Sequence, residues 1–128
     1  MNEPNWITKE ECLAFHSMLV AHFGGSDGIR DEGQLDTSLN RPKQQFHYEQ
    51  ATLLQLAATY ASGLVKSHPF MDGNKRTGLM TCQLFLESNS YCFNASEEET
   101  ALQILALADC RLNDDELTKW LEVNCSKK

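Results

Sequence analysis

One short segment concentrates the chemically active side chains of this sequence. The nine residues from His68 to Arg76 include an imidazole, a carboxylate, a glycine, an amide, an ammonium and a guanidinium. If a helix begins near Asn74, its first backbone amides are free, and they share the turn with the positive end of the helix dipole. Such an end binds phosphate well, and Lys75 and Arg76 would add positive charge beside it. We therefore predict an anion site here, with Gly73 allowing the backbone to approach the ligand closely.

The carboxylate of Asp72 and the imidazole of His68 indicate which reaction the bound anion could undergo. Asp72 would repel a neighbouring phosphate unless a cation lay between them, and Mg²⁺ binds through one or two carboxylates together with phosphate oxygens of the substrate. His68 has an ordinary pKa of about 6.5, so it is partly neutral near pH 7 and can accept a proton from an attacking hydroxyl as a general base. The segment thus predicts phosphoryl or nucleotidyl transfer, in which positioning and charge stabilisation supply most of the catalysis.

Purely structural roles are open for the same residues. Asp72 suits the N-cap of the helix that would follow it. His68 could bond a neighbouring carbonyl at a helix end, and Lys75 and Arg76 could lie on a solvated helix face. Phe70 is expected to be buried and to anchor the loop, whereas the role of Met71 stays open.

The first half of the chain is predicted to be helical around this segment. Thr8 and Glu11 form a capping box that opens a helix, and Gly24-Gly25 should end it. After a turn-rich loop at residues 26–31, we expect a short helix from about Glu32 to Leu39, limited by Pro42. The apolar stretch from Tyr48 to Val65 predicts a central core helix. A flap or hairpin could lie at residues 45–48.

The second half continues the pattern. Pro69 should push His68 out of the right-handed helical region, and a helix is expected from about Asn74 to Glu87, with Asn89 as a left-handed stop. Two further helices should begin after Ser96 and Asn113, which have the same N-terminal signature as Thr8. Residues 90–93 could be extended. We therefore predict an all-α fold of about six helices in one domain over residues 1–128.

Composition and charge argue against several classes of partner and site. Eleven Lys and Arg against eighteen Asp and Glu give a formal charge of −7, which repels nucleic acid with its dense phosphate charge. The longest apolar stretch falls short of the roughly 20 residues that span a bilayer. The first residues lack the basic and apolar regions of a secretory leader, so a cytoplasmic location is expected. The five cysteines have no CxxC spacing and are expected to be buried, small hydrophobic side chains rather than a disulfide or zinc framework.

The segment His68-Pro-Phe-Met-Asp-Gly-Asn-Lys-Arg76 resembles the signature of the Fic/Doc family, HPFx[DE]GN followed by Gly or Lys and then Arg. Upstream, Gly24-Gly25, residues 28–33 and Arg41-Pro42 are also similar to Doc-type members. AMP-transferring members have Gly after the motif Asn and a second Arg three residues past the first. Lys75 and Leu79 stand at those positions, so the sequence resembles the Doc branch.

The resemblance implies an all-helical toxin of a toxin–antitoxin pair, which transfers the γ-phosphate of ATP to a threonine of elongation factor Tu and halts translation. It assigns His68 as the general base, Asp72 as the magnesium or orienting carboxylate, and Phe70 as the loop anchor. Gly73 and Asn74 would form the anion nest, and Lys75 and Arg76 would hold the phosphates. By its size, Lys75 would favour a reversed ATP whose terminal phosphate faces His68. A flap that aligns the target would lie near Phe46 to Tyr48.

Two other functions compete with the kinase. An AMP transferase would move the α-phosphate rather than the γ-phosphate to a protein hydroxyl. A catalytically silent nucleotide or anion binder would act through its partner alone. Self-inhibition through Thr118 and Glu122 matches only part of the family's inhibitory pattern, because Val123 stands where Gly or Asn is expected. We therefore expect an ordinary terminal helix there and a separate antitoxin.

Overall fold

The computed structural model describes residues 2–128 and contains six helices and one small antiparallel sheet. In chain order the elements are α1 (Lys9–Phe23), α2 (Glu32–Glu49), α3 (Leu53–Ser67), α4 (Asn74–Ser88), β1 (Tyr91–Phe93), α5 (Glu97–Ala108), α6 (Asp114–Asn124) and β2 (Cys125–Lys127). The predicted all-α fold of about six helices is confirmed. Within residues 2–128, every helix is too short or too polar to cross a membrane.

Helix α3 is the centre of the fold. Nine of its fifteen residues are buried, among them Tyr60 and Leu64, and helices α2, α4, α5 and α6 all pack against it. Burial on more than one face is expected of a central helix, because apolar side chains cover more of its circumference than a single stripe. Helix α4 makes the most extensive contact with α3. The loop between these two helices therefore joins the two most tightly packed elements of the molecule.

Helix starts follow the predicted capping signatures. Thr8 and Asn113 each form a complete capping box, and the Ser96 hydroxyl accepts a hydrogen bond from the amide of Glu99. These side chains satisfy amides that a helix leaves free at its first turn. The predicted end of α1 at Gly24 is also confirmed, at a positive φ of 88°. Local side-chain chemistry thus fixes these boundaries without tertiary information.

The expected short second helix and the expected start of the central helix are both wrong. Helix α2 continues through Pro42 to Glu49, and α3 begins only at Leu53, where Thr52 forms a capping box. A proline inside a helix costs about 3 kcal/mol in isolation. Pro42 is nevertheless buried on the same face of α2 as Leu35 and Leu39, and burial of that face offsets the penalty.

The connection after α4 also differs from expectation. Asn89 has φ −112°, and the left-handed residue is Ser90 at φ 70°. The Asn89 side chain instead donates to the carbonyls of Asn5 and Phe85. The extended segment expected at residues 90–93 is confirmed as β1, which pairs with β2 at the chain end through Cys92 and Ser126. Strand β2 has only three residues, too few to show a period of two in the sequence.

Candidate functional site

The loop between α3 and α4, residues 68–73, is anchored at its apolar residues and open at its polar ones. Phe70 is 1% exposed, as predicted for the loop anchor, and Pro69 is buried beside it. His68, Met71 and Asp72 are exposed. Burial of the Pro-Phe pair therefore fixes the loop to the core while the imidazole and the carboxylate remain accessible.

His68 closes helix α3 in a left-handed conformation, with φ 51° and ψ 57°. Pro69 disfavours the right-handed helical region for the residue before it, which explains the sharp exit from the helix. The Arg30 guanidinium donates to the carbonyl oxygens of His68 at 2.6 Å and Ser67 at 2.8 Å, so a cation satisfies the helix C-terminus. The backbone of His68 is thus bonded, whereas within residues 2–128 its imidazole has no hydrogen-bond partner.

A second loop, residues 24–31 between α1 and α2, lies along the first one; we call it the α1–α2 loop. The Met71 amide donates to the Gly28 carbonyl at 2.9 Å, and the amides of Arg30 and Asp31 donate to the Pro69 carbonyl at 2.8 and 3.0 Å. Ile29 and Phe70 form an isolated antiparallel bridge. These backbone bonds hold the two loops in a fixed register.

Asp72 belongs to this pairing and is not the cap of α4. Its Oδ2 accepts a hydrogen bond from the Ser26 amide at 2.8 Å. Gly25 has φ 114°, where an L side chain is strained, and a Cβ there would lie 3.1 Å from the Asp72 Cβ, so glycine suits this approach. The N-cap of α4 is Gly73, at φ 79° and without a side-chain cap. The capping alternative for Asp72 is therefore excluded, and the first amides of α4 are left for solvent or a ligand.

Asn74 holds the loop with its side chain. It is largely buried, its Oδ1 accepts from the Phe70 amide at 2.9 Å, and its Nδ2 donates to the Phe70 carbonyl at 3.1 Å. Both polar ends of the side-chain amide are occupied by one residue of the loop. Any anion contact of Asn74 must therefore come from its backbone amide and not from its side chain.

Lys75 and Arg76 supply the positive charge at the start of α4. Both side chains are exposed, and within residues 2–128 neither forms an ion pair with a carboxylate. The Arg76 guanidinium carbon lies 4.3 Å from the centroid of the Phe23 ring, a cation–π geometry that restrains the side chain without neutralising it. Phe23 thus holds the guanidinium in place and leaves its charge available to an anion.

An open groove of about 550 Å³ brings these groups together. Its polar part is lined by His68, Asp72, Gly73, Asn74, Lys75 and Arg76, and its apolar part by Met71, Leu79, Ala101, Ile104 and Leu105. The apolar part comes mainly from α5. Such a groove suits a ligand with an anionic end and a flat or apolar end.

The donor set of the groove fits a magnesium ion shared with a ligand. Within residues 2–128 no three His, Cys, Asp or Glu residues lie close enough to hold a metal by themselves. Asp72 lies in the groove with one carboxylate oxygen bonded to Ser26. Mg²⁺ is commonly held by one or two carboxylates plus substrate phosphates, so a single carboxylate beside an anion site matches that arrangement.

The predicted flap at residues 46–48 is wrong. These residues lie inside α2, and the Phe46 ring packs against Trp6, which stacks on Phe85 near the far end of α4. The segment that runs beside the site is the α1–α2 loop. Its turn-forming residues were visible in the sequence, but nothing there indicated pairing with residues 69–71.

Sequence reasoning also missed four residues that shape the site: His16, Phe23, Ser26 and Arg30. Each contacts the loop or its cation from α1 or from the α1–α2 loop. Thr118 and Glu122 lie within α6; the Thr118 hydroxyl donates to the Asp114 carbonyl and Glu122 is exposed. Within residues 2–128, neither Thr118 nor Glu122 lines the groove at the start of α4.

The fold and the site together define a class: a helical domain whose polar chemistry lies in one loop at the N-terminus of a core-packed helix. A family model described as "Fic/DOC family" matches residues 6–86 of this chain. This range includes both loops and ends before α5. "Protein kinase doc" of Escherichia phage P1 is 36% identical over 84 residues, covering 65% of this chain and 67% of the relative. "Toxin Doc" of Mycolicibacterium smegmatis is 30% identical over 114 residues, covering 84% of this chain and 85% of the relative. The chain belongs to the Fic/Doc family as a Doc-type member.

Proposed function

We propose that this chain is a toxin kinase that transfers the γ-phosphate of ATP to a hydroxyl side chain of a protein target. The observation that carries the proposal is one groove, which is lined by the unpartnered His68, by the uncapped start of α4 and by Lys75 and Arg76. The names of the two relatives, a protein kinase and a toxin, support the same reading. By resemblance the target is a threonine of elongation factor Tu, so that the modification would block translation.

The reaction assigns one role to each group. The target hydroxyl oxygen attacks the γ-phosphorus, its proton passes to the His68 imidazole, and the bond between the γ-phosphorus and the β–γ bridging oxygen breaks to release ADP. The backbone amides of Gly73, Asn74 and Lys75 hold phosphate oxygens, and the side chains of Lys75 and Arg76 balance their charge. Phe70 keeps the loop fixed. Most of the catalysis is positioning and charge stabilisation, as in other phosphoryl transfers.

Asp72 is proposed to hold Mg²⁺ together with the phosphates. When bound, the ion would neutralise charge on the phosphate oxygens. The Ser26 amide fixes one carboxylate oxygen of Asp72 and leaves the other for the ion. Asp72→Asn keeps the shape and the contact with Ser26 while removing the charge. We expect the Mg²⁺ concentration for half-maximal transfer to rise, with an unchanged melting temperature; an unchanged Mg²⁺ requirement would refute the metal role.

The apolar wall of the groove favours the kinase over an AMP transferase. Leu79 lies there with Ala101, Ile104 and Leu105, so this end of the groove has no second arginine to hold further phosphates. An apolar wall suits the base of the nucleotide. A triphosphate that extends from this wall, with its terminal phosphate nearest His68, would favour transfer of the γ-phosphate.

Labelled nucleotides distinguish the candidate activities. The purified chain is incubated in a translation extract with Mg²⁺ and ATP labelled at either the γ- or the α-phosphate, and modified proteins are identified by mass spectrometry. We expect γ-label on a Ser or Thr of a translation factor. Transfer of α-label instead would make the protein an AMP transferase. No label at all, with toxicity retained by His68→Ala, would favour the silent binder.

As a toxin of this type, the chain is proposed to act in the cytoplasm and to be held inactive by a cognate antitoxin. The similarity to "Toxin Doc" supports this pairing. Co-expression provides the test: growth should stop when the chain is expressed alone and resume when the neighbouring gene is expressed with it. Growth arrest that no neighbouring gene relieves would argue against an antitoxin.

A further inference from the structure

Beneath the loop lies a buried imidazole that the proposed reaction does not use. His16 of α1 is 2% exposed, and its Nε2 lies 2.7 Å from the carbonyl oxygen of Asp72. Its ring stacks on Phe70, with centroids 3.8 Å apart and planes 8° from parallel. A Cβ added at Gly73 would lie 3.7 Å from the same Nε2. His16 thus contacts the loop on both sides of Met71, at the Phe70 ring and at the Asp72 carbonyl.

The chemistry of the short contact fixes where the hydrogen lies. A carbonyl oxygen only accepts, so Nε2 must carry a hydrogen and donate it to Asp72. On the other side of the ring, Nδ1 faces Oδ1 of Asp27 at 3.7 Å. Nε2 therefore remains a donor whether the imidazole is neutral or protonated.

That hydrogen bond also sets the direction of a neighbouring amide. The Asp72 carbonyl and the Gly73 N–H belong to one planar trans peptide, so they point in opposite directions; the structure contains no cis peptide within residues 2–128. Because His16 draws the carbonyl towards α1, the Gly73 N–H points to the opposite side. Gly73 lines the groove, and at φ 79° it has no Cβ to resist rotation of this peptide.

We infer that His16 is a positioning residue, which holds the Asp72–Gly73 peptide so that the Gly73 N–H faces the phosphates. Without the donor, the peptide is free to rotate and would present a carbonyl oxygen to an anion. This inference rests on the proposed function for its effect on catalysis, but the peptide orientation itself can be measured without activity.

Two substitutions separate the hydrogen bond from the packing. His16→Gln keeps a donor near the position of Nε2 and loses the stack on Phe70. His16→Phe keeps an aromatic ring in the stack and has no donor. If positioning is the role, γ-phosphate transfer should fall about 10- to 100-fold in His16→Phe and less in His16→Gln, even if the Gln variant melts at the lower temperature. Transfer rates that follow the melting temperatures would overturn the inference.

A measurement on the unaltered protein covers the case in which the variants do not fold. The ring ¹⁵N spectrum of the wild-type chain should show a slowly exchanging hydrogen on Nε2 of His16, and the Gly73 amide signal should shift when ATP and Mg²⁺ are added. An Nε2 without hydrogen, or a Gly73 amide unmoved by bound ATP, refutes the positioning role. Absence of transfer by the wild type, with these signals as expected, would instead refute the proposed kinase function.

Discussion

The two ends of helix α4 are held by different forces. At its N-terminus, directional contacts orient the loop around its buried Phe70 anchor: the Asn74 side chain, the backbone bonds to the α1–α2 loop, and His16. At its C-terminal half, Phe85 is fully buried and contacts Trp6 at 6.0 Å and Tyr60 at 5.0 Å between ring centroids. Function and stability are therefore separated along one helix.

Magnitudes explain the separation. A net intramolecular hydrogen bond contributes about 0.5–1.5 kcal/mol, whereas full burial of a large apolar side chain contributes about 1.5–3 kcal/mol and its removal from a core costs more. Hydrogen bonds fix direction, which an anion site requires, and apolar contacts supply most of the stability. Substitutions at the two ends should consequently change different measurable quantities.

The largest effect is expected at the functional end. His68→Ala removes the proposed general base, and phosphate transfer should fall by about 10²–10⁴-fold. The melting temperature should stay close to that of the wild type, because the imidazole is exposed and within residues 2–128 has no hydrogen-bond partner. Initial rates with γ-labelled ATP and a thermal melt of the same preparation measure both quantities.

His47→Ala is the matched control for that experiment. His47 is also an exposed histidine, but it lies on α2 beside Phe46, near the other end of α4, and pairs with Glu3 at 3.3 Å. Its replacement should leave the transfer rate unchanged. A similar loss of rate in both variants would mean that the effect of His68→Ala does not come from the site.

The next effect should appear at the packed end. Phe85→Ala leaves a cavity between Trp6 and Tyr60, and the free energy of unfolding should fall by about 3–5 kcal/mol. Urea denaturation followed by tryptophan fluorescence measures the change. The folded fraction should transfer phosphate at the wild-type rate, because Phe85 lies eleven positions beyond the first residue of α4. A loss below about 1 kcal/mol would contradict the assigned packing, since such truncations cost several times more.

Local signals explain which parts of the fold were predictable. Capping residues such as Thr8 and Asn113 act on amides within the same turn, so their patterns are legible in sequence. The end of α2 was predicted wrongly at Pro42 because the helix-breaking cost of proline is a local effect. The burial that offsets this cost depends on the packing of α2 against α3, which is not local. The β1–β2 pair joins residues more than thirty positions apart and has no local signature.

Local and long-range contacts also differ in how well the sequence predicts the site. The polar residues of the segment from His68 to Arg76 lie in one groove because they are neighbours in sequence. His16 and Arg30 contact that loop from more than thirty positions away. The sequence displays a histidine on a helix and an arginine in a turn, and neither residue type indicates a contact with a distant carbonyl. Residues that support a loop from distant positions can therefore be identified only when the fold is known.

Arg76→Ala tests the charge at the functional end. A charged hydrogen bond contributes about 1.5–3 kcal/mol, so the affinity for ATP should fall by roughly 10- to 100-fold. Calorimetry with ATP and Mg²⁺ measures it. Arg111→Ala, an exposed arginine paired with Asp109, is the control and should bind ATP normally. The contact of Arg76 with the Phe23 ring is exposed, so its loss should change the melting temperature little. A large drop in the melting temperature of Arg76→Ala would instead mean that the residue is structural.

The smallest effect is expected at the packed end, where Tyr60 contributes one polar contact. Its buried hydroxyl accepts a hydrogen bond from the Ile7 amide at 3.2 Å, so Tyr60→Phe should lower the free energy of unfolding by about 1 kcal/mol near pH 7.

Burial raises the pKa of Tyr60 from 10.0 to about 12. Above the unfolded pKa the unfolded chain loses this proton before the folded one, so the wild type loses stability as pH rises from about 10 through about 12. Phenylalanine has no such proton, and the gap between the two proteins should narrow over that range. Urea midpoints at neutral pH and in the alkaline range measure the gap, and a constant gap would mean that the phenol does not titrate as a buried group.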